Sequence, residues 1–236
     1  GKYSAPDFEL LISGGCNLAV ESTMILHNPE IREQLLEVGI PVLVERSSYE
    51  SHPLGRMEWI KLYGVLMDKT EEAEKYFDSQ VDAVADIMDR DDTGLTVAFF
   101  YVTANGSVNI RKSGDYVSKM IELAGGEYIF ADMNDDENAL STTTIQMEEF
   151  YAKAKDADIL IYNSTIAGTL PDMESLLKLS DLFNDFKAVQ SGNVFCTEKN
   201  MFQESTGFGD MILDINKILT DSDVSDDELT YLYRLK

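Results

Sequence analysis

Cationic and aromatic side chains cluster in a few loops of this otherwise acidic chain. The 236 residues carry 19 Lys and Arg against 43 Asp and Glu, a net charge of −24. Guanidinium and ammonium groups bind anions, and Tyr and Phe offer flat apolar contact. Each cation could instead pair with one of the many carboxylates. We expect these residues to bind an anionic ligand: Arg46, Tyr49, His52, Arg56, Arg111, Lys112, Asn163, Lys199 and Phe202.

Residues for other chemistries are few. The sequence has no nucleophile elbow, Walker loop, dinucleotide fingerprint or HExxH motif. The histidines are His27 and His52, and Cys16 and Cys196 lie far apart without a CxxC motif, either as free thiols or as one disulfide. We therefore expect no enzyme, no bound metal and no cofactor. The acidic charge would repel phosphate backbones, so we expect no nucleic-acid partner.

Short continuous apolar runs and helical patterns predict the elements that position these loops. Before residue 70 we predict a strand at 8–12, helices at 17–27 and 30–38, and a strand at 40–44. After Gly94, strands are predicted at 95–102, 108–110, 127–130, 159–162 and 194–196. Helices are predicted at 114–123, 147–155 and 207–219, with an acidic loop at 132–138 and a short acidic helix at 223–234. This order is typical of layered α/β structure.

One long helix separates the two series. Ala73, Phe77, Val81 and Val84 recur at helical spacing, and no Pro or Gly occurs between residue 70 and Gly94. We predict a helix over 70–92, about 33 Å long at 1.5 Å per residue. The predicted fold is α/β, with two Rossmann-like lobes of mainly parallel sheet joined by this helix. The predicted divisions are 1–69, 70–92 and 93–236, and ligands are expected in the groove between the lobes.

Ordered motifs over nearly the whole chain resemble the periplasmic-type substrate-binding proteins of ABC importers for ferric siderophores, haem and vitamin B12. The matching segments are a Pro-Asp-strand element at 6–12, a helix–Gly–strand step at 36–42, the approach to the connecting helix at 60–76, the Leu-Ala-Gly-Gly helix end at 123–126, an Asp-then-strand element at 157–161 and a Lys-Ala-Val…Gly-x-Val step at 187–195. The departure lies at the start, because only two strands are predicted in the first lobe. That lobe therefore looks incomplete at its N-terminal side.

The resemblance implies capture of an iron chelate, haem or a cobalamin-like ligand, and its delivery to an ABC permease in the membrane. It implies an extracytoplasmic location, as a lipoprotein or periplasmic protein. It also implies one acidic residue on each lobe that docks onto the permease. By position these are Glu30 and Glu204, with Glu33 and Glu198 as neighbouring alternatives.

Two other functions stay open beside this one. A metal-cluster-binding or catalytic protein on the same frame would use Cys16, which follows the predicted strand at 8–12. A zinc or manganese site needs several histidines, and the chain has two.

Overall fold

The computed structural model describes residues 2–133 and 142–236. The chain forms two units, Gly1–Tyr49 and Glu50–Lys236. Both are α/β, and the fold is a two-domain α/β structure with mostly parallel sheet, as predicted. Most of the predicted acidic loop 132–138 lies outside the described residues.

The first unit is built on two parallel strands. Its elements are α1 (Phe8–Ser13), β1 (Ala19–Ser22), a 3-10 turn (Thr23–His27), α2 (Pro29–Glu37), β2 (Val42–Glu45) and a 3-10 turn (Ser47–Tyr49). Ala19 pairs with Val42 and Ser22 with Glu45. Pro29 occupies the first turn of α2, where its missing N–H costs nothing, and Gly39 leaves the helix with a φ of 82°. Ile25, Leu35 and Ile40 are buried.

The strand predicted at 8–12 is wrong. These residues form α1, whose N-terminus is capped by Asp7, with Oδ1 accepting from the Leu10 amide at 2.9 Å. Leu10 and Ile12 are exposed, so the apolar run does not mark a buried strand. The segment 8–12 has four apolar residues and Glu9, and it is too short to show the periodicity that separates a helix from a strand. The first strand of this unit is instead β1, which lies inside the segment predicted as the helix 17–27. The exposure of its side chains alternates, as in a strand.

Two helices open the second unit. α3 (Pro53–Leu66) and α4 (Thr70–Met88) pack as a pair, and α4 is the predicted long helix, four residues shorter at its C-terminal end. Its N-cap is Lys69. The helices cross at Gly64, where an added Cβ would lie 2.5 Å from the Ala73 Cβ. α3 and α4 belong with the second sheet, and the three-part division at 69 and 92 stays a prediction.

A seven-stranded sheet forms the centre of the second unit. Its remaining elements, in chain order, are β3 (Thr96–Val102), β4 (Val108–Arg111), α5 (Tyr116–Leu123), β5 (Glu127–Tyr128), β6 (Thr142–Ile145), α6 (Met147–Ala154), β7 (Ile159–Tyr162), α7 (Ser164–Ala167), α8 (Met173–Leu177), α9 (Lys187–Ser191), β8 (Val194–Thr197), α10 (Phe208–Thr220) and β9 (Leu232–Arg234). The strand order is β6-β4-β3-β7-β8-β9, with β5 also paired to β3. The pairs β3–β5, β3–β7 and β7–β8 are parallel, and the pairs β3–β4, β4–β6 and β8–β9 are antiparallel.

Buried aromatic side chains fill the core on one side of the sheet. Phe100 lies 4.6 Å from Phe150 and 5.7 Å from Phe183, measured between ring centroids. Phe186 stacks on Phe150 at 5.6 Å. Offset and edge-to-face rings add to the free energy gained by burial. The apolar runs that predicted β3 and β7 therefore form the centre of this core.

The C-terminal segment differs from its prediction. A 3-10 turn (Asp226–Glu228) and the strand β9 replace the predicted short helix at 223–234. The buried Asp214 explains the extended path, because its Oδ2 accepts from the amides of Thr230 and Tyr231 at 2.8 and 2.6 Å. β9 then pairs with β8, and the Arg234 guanidinium donates to the Gly192 carbonyl at 2.8 Å. This pairing depends on tertiary partners that local sequence does not contain.

Candidate functional site

Two arginines lie on a group of aromatic rings in the second unit. The Arg56 guanidinium carbon, from the first turns of α3, lies 3.9 Å from the Tyr116 ring centroid. The Arg111 guanidinium carbon, at the end of β4, lies 5.9 Å from the same centroid and 4.8 Å from that of Phe202. A cation over the face of an aromatic ring is attracted by the ring's quadrupole. We call Arg56, Arg111, Tyr116, Phe202 and Phe208 the arginine–aromatic cluster.

Two rings of this cluster lie at the N-termini of helices. Tyr116 is the first residue of α5 and Phe208 the first of α10. Their rings stack at 5.1 Å with an interplanar angle of 25°, and Phe202 meets Tyr116 edge-on at 6.4 Å. Tyr116 and Phe208 are buried and Phe202 is half-buried. Burial raises the pKa of Tyr116 to about 12, against the opposing effect of the two arginines, so its hydroxyl stays protonated near neutral pH.

Arg111 is fixed at both its backbone and its side chain. The buried Tyr128 hydroxyl donates to the Arg111 carbonyl at 2.7 Å and accepts from the Arg111 amide at 3.1 Å. The Arg111 Nη1 donates to Asp115 Oδ2 at 3.4 Å. Asp115 is 3% exposed, and burial raises the pKa of its carboxyl, while Arg111, the Val117 amide and Arg56 favour the ionised form. The buried Asp115 carboxylate is thus a close partner of Arg111 beside the cluster.

Two of the other predicted ligand residues of this unit have evident local roles. His52 Nδ1 accepts from the Leu54 amide at 3.2 Å and caps α3, while burial and the nearby Lys119 lower the His52 pKa. Asn163 is 1% exposed, and its Oδ1 accepts from the amide and hydroxyl of Thr165 at the start of α7. Lys112 is 8% exposed and Lys199 is exposed. A role for these four residues in ligand binding stays a prediction.

The first unit contains the other two predicted ligand residues. The Arg46 guanidinium carbon lies 5.4 Å from the Tyr49 ring centroid. The Tyr49 hydroxyl forms a 3.2 Å hydrogen bond with the Thr23 hydroxyl, and the Tyr49 side chain is 52% exposed. The same pairing of arginine and aromatic ring therefore occurs in both units.

Of the two predicted docking carboxylates, Glu204 has the more ordered surroundings. It accepts hydrogen bonds from Asn200 Nδ2 at 2.8 Å and the Tyr231 hydroxyl at 2.9 Å, and these donors hold its pKa below its ordinary value. The Tyr231 ring lies against Gly207, where a Cβ would approach the hydroxyl oxygen to 2.0 Å. Glu30 is exposed in the first turn of α2. Their role in docking stays a prediction.

The cysteines are free thiols. The predicted position of Cys16 after a strand is wrong, because Cys16 lies between α1 and β1. Over residues 2–133 and 142–236, no group of three or more His, Cys, Asp and Glu side chains is placed to hold a metal ion. Within the same ranges, no helix has the length and apolarity to cross a bilayer. Nothing among these observations favours a metal cluster at Cys16.

A family model described as periplasmic binding protein matches residues 17–201. The chain belongs to the periplasmic binding protein family. This result confirms the resemblance seen in the sequence motifs.

Curated relatives of this chain come from one organism. An uncharacterized lipoprotein of Methanocaldococcus jannaschii is 31% identical over 170 residues, covering 71% of this chain and 39% of the relative. The chain spans 39%, 53% and 50% of three curated relatives from that organism.

Solved structures share the fold. A possible iron-binding (periplasmic solute-binding) protein from Staphylococcus epidermidis superposes with a TM-score of 0.70 at 14% identity, covering 93% of this chain and 82% of that one. The periplasmic haem-binding protein HutB of Vibrio cholerae gives 0.69 at 16% identity, covering 95% and 83%. At this identity the likeness establishes architecture, and ligand choice has to be argued from the residues of this chain.

Sequence reasoning found Arg56, Arg111 and Phe202 but missed Tyr116, Phe208 and Asp115. The structure brings all six together in one unit. Asp115 had a usable signal, since an Asp at the start of a helical pattern is a typical N-cap. The two rings sit in first turns of helices that are remote in sequence, and their stacking has no local signal.

Proposed function

We propose that this chain is the substrate-binding protein of an ABC importer and captures an anionic iron chelate, such as a ferric siderophore or haem, or a cobalamin-like ligand. The proposal rests chiefly on the arginine–aromatic cluster. Family membership supports the importer role, and the similar folds of proteins named iron-binding and haem-binding support the ligand class. No catalytic step is part of the proposal.

The cluster supplies two kinds of contact that such a ligand needs. A guanidinium directs its N–H donors in its own plane, the geometry in which it binds a carboxylate. The half-buried Phe202 ring offers apolar surface to a macrocycle or an aromatic chelating group, and the buried Tyr116 and Phe208 rings pack behind it. The chain has a net charge of −24, so an anion would be attracted to the few positions where cations lie together, such as Arg56 and Arg111.

Binding is tested by titrating the protein with ferric siderophores of the hydroxamate, catecholate and carboxylate types, with haem, and with cobalamin, while following intrinsic fluorescence. We expect one class to bind at micromolar concentration or tighter. Arg111→Gln should weaken that binding about 10- to 100-fold, because a hydrogen bond to a charged group contributes about 1.5–3 kcal/mol. Lys178→Gln is the matched control, because Lys178 pairs with Glu174 on the surface. Absence of binding by every class, or equal loss in both variants, contradicts the proposal.

We further propose that Glu30 and Glu204 dock onto cationic residues of the permease. Asn200 and Tyr231 keep the Glu204 carboxylate ionised and oriented, which favours an ion pair with a partner's arginine. In vesicles with the cognate permease, Glu204→Gln should reduce stimulation of ATP hydrolysis by the binding protein. Glu174→Gln, which removes an exposed carboxylate elsewhere, should leave that stimulation unchanged. A Glu204 variant with full stimulation would exclude this residue from docking.

The extracytoplasmic location is proposed from the relatives, two of which are described as lipoproteins. Fractionation of the native cells with an antibody to this chain tests it. We expect the protein in the membrane fraction and accessible to external protease in cells stripped of their outer layers. Recovery in the cytosolic fraction alone contradicts this location.

A further inference from the structure

Glu204 lies in a largely exposed loop between β8 and α10. One of its partners is local, because Asn200 Nδ2 donates to Glu204 Oε1 at 2.8 Å and the Asn200 carbonyl accepts from the Glu204 amide at 3.1 Å. The other carboxylate oxygen, Oε2, accepts from the hydroxyl of Tyr231, 27 residues further along the chain, at 2.9 Å. The orientation of this exposed carboxylate therefore depends on how Tyr231 is held.

Tyr231, immediately before β9, is fixed by its backbone at two points. Its amide donates to Oδ2 of Asp214, in α10, at 2.6 Å, and its carbonyl accepts from the amide of Glu198, at the start of the loop, at 2.8 Å. Tyr231 is 5% exposed and Asp214 1%. Burial and the neighbouring Glu204 raise the pKa of Tyr231, so its hydroxyl stays protonated and donates. Tyr231 thus joins α10, the loop and the Glu204 carboxylate.

Gly207 leaves the space that the Tyr231 ring occupies. A Cβ at Gly207 would lie 2.0 Å from the Tyr231 hydroxyl oxygen and 2.7 Å from its Cζ. The backbone at Gly207 has a φ of −91° and a ψ of 16°, a conformation that residues with a side chain also adopt. The close approach of the ring, and not the backbone conformation, is therefore what requires glycine at this position.

We propose that Gly207 and Tyr231 are positioning residues for docking: Gly207 admits the Tyr231 ring, and the ring hydroxyl holds the Glu204 carboxylate ready for a cationic partner. The residues just before β9 then belong to the docking site, although they are remote from Glu204 in sequence. A side chain that is already ordered loses less conformational entropy when it binds. The inference rests on the proposed docking role of Glu204 and goes beyond it by assigning the cause of its orientation.

The first test uses the isolated protein and needs no permease. The Glu204 Cδ signal of 13C-labelled protein is followed by NMR across pH. Hydrogen bonds from Asn200 and Tyr231 hold the pKa of Glu204 below its ordinary value of 4.5. Loss of a donor to an ionised carboxylate disfavours the ionised form, so Tyr231→Phe should raise this pKa. Gly207→Ala should raise it too, because it displaces the ring while every hydrogen-bonding group is kept.

Tyr233→Phe is the matched control. Tyr233 lies in β9, and its hydroxyl donates to the Leu170 carbonyl at 3.3 Å, so the same chemical change is made away from Glu204. The pKa of Glu204 should not change in this variant. Thermal unfolding shows whether each variant is folded. If Gly207→Ala does not fold, adding Tyr231→Ala, which removes the clashing ring, should restore folding, and a double variant that stays unfolded overturns the role of Gly207.

The second test measures docking. ATP hydrolysis by the cognate permease in vesicles is titrated with the binding protein. For Tyr231→Phe the half-maximal concentration should rise about three- to tenfold, because one more side chain has to be ordered on docking, while the maximal rate stays the same. In a Glu204→Ala background, Tyr231→Phe should have no further effect, since the group through which it acts is gone.

The outcomes separate this inference from the proposed docking role. An unchanged pKa of Glu204 in folded Tyr231→Phe or Gly207→Ala protein overturns the positioning role of that residue. An equal effect of Tyr231→Phe on docking with and without the Glu204 side chain overturns it as well, because Tyr231 would then act by another route. Full stimulation by Glu204→Ala, with the pKa results as expected, overturns the docking role and leaves the orientation of Glu204 by Tyr231 standing.

Discussion

Replacing Gly64 by Ala should destabilise the packing of α3 on α4. The new Cβ would lie 2.5 Å from the Ala73 Cβ and 3.1 Å from the Lys69 carbonyl oxygen. Non-bonded carbon atoms normally approach to about 3.5–4.0 Å, so the helices must separate by about 1 Å or the backbone at Lys69 must move. Overpacking of this kind costs about 1–3 kcal/mol. Better helix propensity returns up to about 1 kcal/mol. We expect a net loss of about 1–2 kcal/mol in the free energy of unfolding.

Guanidinium denaturation followed by far-UV circular dichroism measures this loss. Gly55→Ala is the control in the same helix, because its Cβ would make an ordinary contact at 3.5 Å with Glu50 Oε2. It should be neutral or slightly stabilising. Ala73→Gly removes the opposing methyl group and alone costs about 1 kcal/mol or more through helix propensity.

The double variant decides the physical cause. Gly64→Ala with Ala73→Gly exchanges the two methyl positions and relieves the clash. Its destabilisation should be smaller than the sum of the single variants by about 1 kcal/mol or more. Strict additivity, or a Gly64→Ala protein as stable as wild type, would refute the claim that the crossing is set by these two positions.

Two further predictions concern titrating groups. Burial raises the pKa of the Cys196 thiol to about 11, so at pH 8 an alkylating reagent should modify Cys16 in the folded protein and Cys196 only after denaturation. Peptide mass spectrometry measures the modification, and equal modification of both cysteines would contradict the buried position of Cys196. Burial alone would raise the pKa of Asp158, but hydrogen bonds from Lys187 and Thr96 outweigh it and hold this pKa below its ordinary value of 3.8. A lowered carboxyl pKa stabilises the fold above the ordinary pKa, and this gain is lost as pH falls, so Asp158→Asn should reduce stability at pH 7 and have little effect at pH 2–3. Thermal unfolding across pH measures this, and a loss of stability that does not depend on pH would show that charge is not the cause.

Sequence patterns predicted elements whose cause is local. The 3.6-residue period and the lack of breakers predicted α4, and the continuous apolar run at 159–162 predicted β7 with the bounds observed. β1 was missed because its four residues alternate too briefly to oppose a helical pattern. β9 was missed because its extended path depends on the buried Asp214 of α10.

In the candidate site, too, only the features with a local cause could be predicted from the sequence. Arg56 and Arg111 stand out as rare cations in loops near predicted strands and helices. Which rings they contact depends on how α3, α5 and α10 pack, and no single segment contains that information. The ion pair of Asp115 could not be predicted either, because 43 acidic residues give no sign of which one is buried beside an arginine.

The arginine–aromatic cluster has a consequence for kinetics, because two cations sit in a chain with a net charge of −24. An approaching anion is first repelled by the field of the whole acidic molecule, which extends about a Debye length into the solvent. At contact distance the nearby guanidinium groups dominate. Added salt screens the first effect more than the second at the encounter stage, and so should speed association. Once bound, the ligand depends on short-range charge contacts, which salt weakens, so dissociation should also accelerate. Capture and release of an anionic ligand should therefore both become faster in a saltier medium.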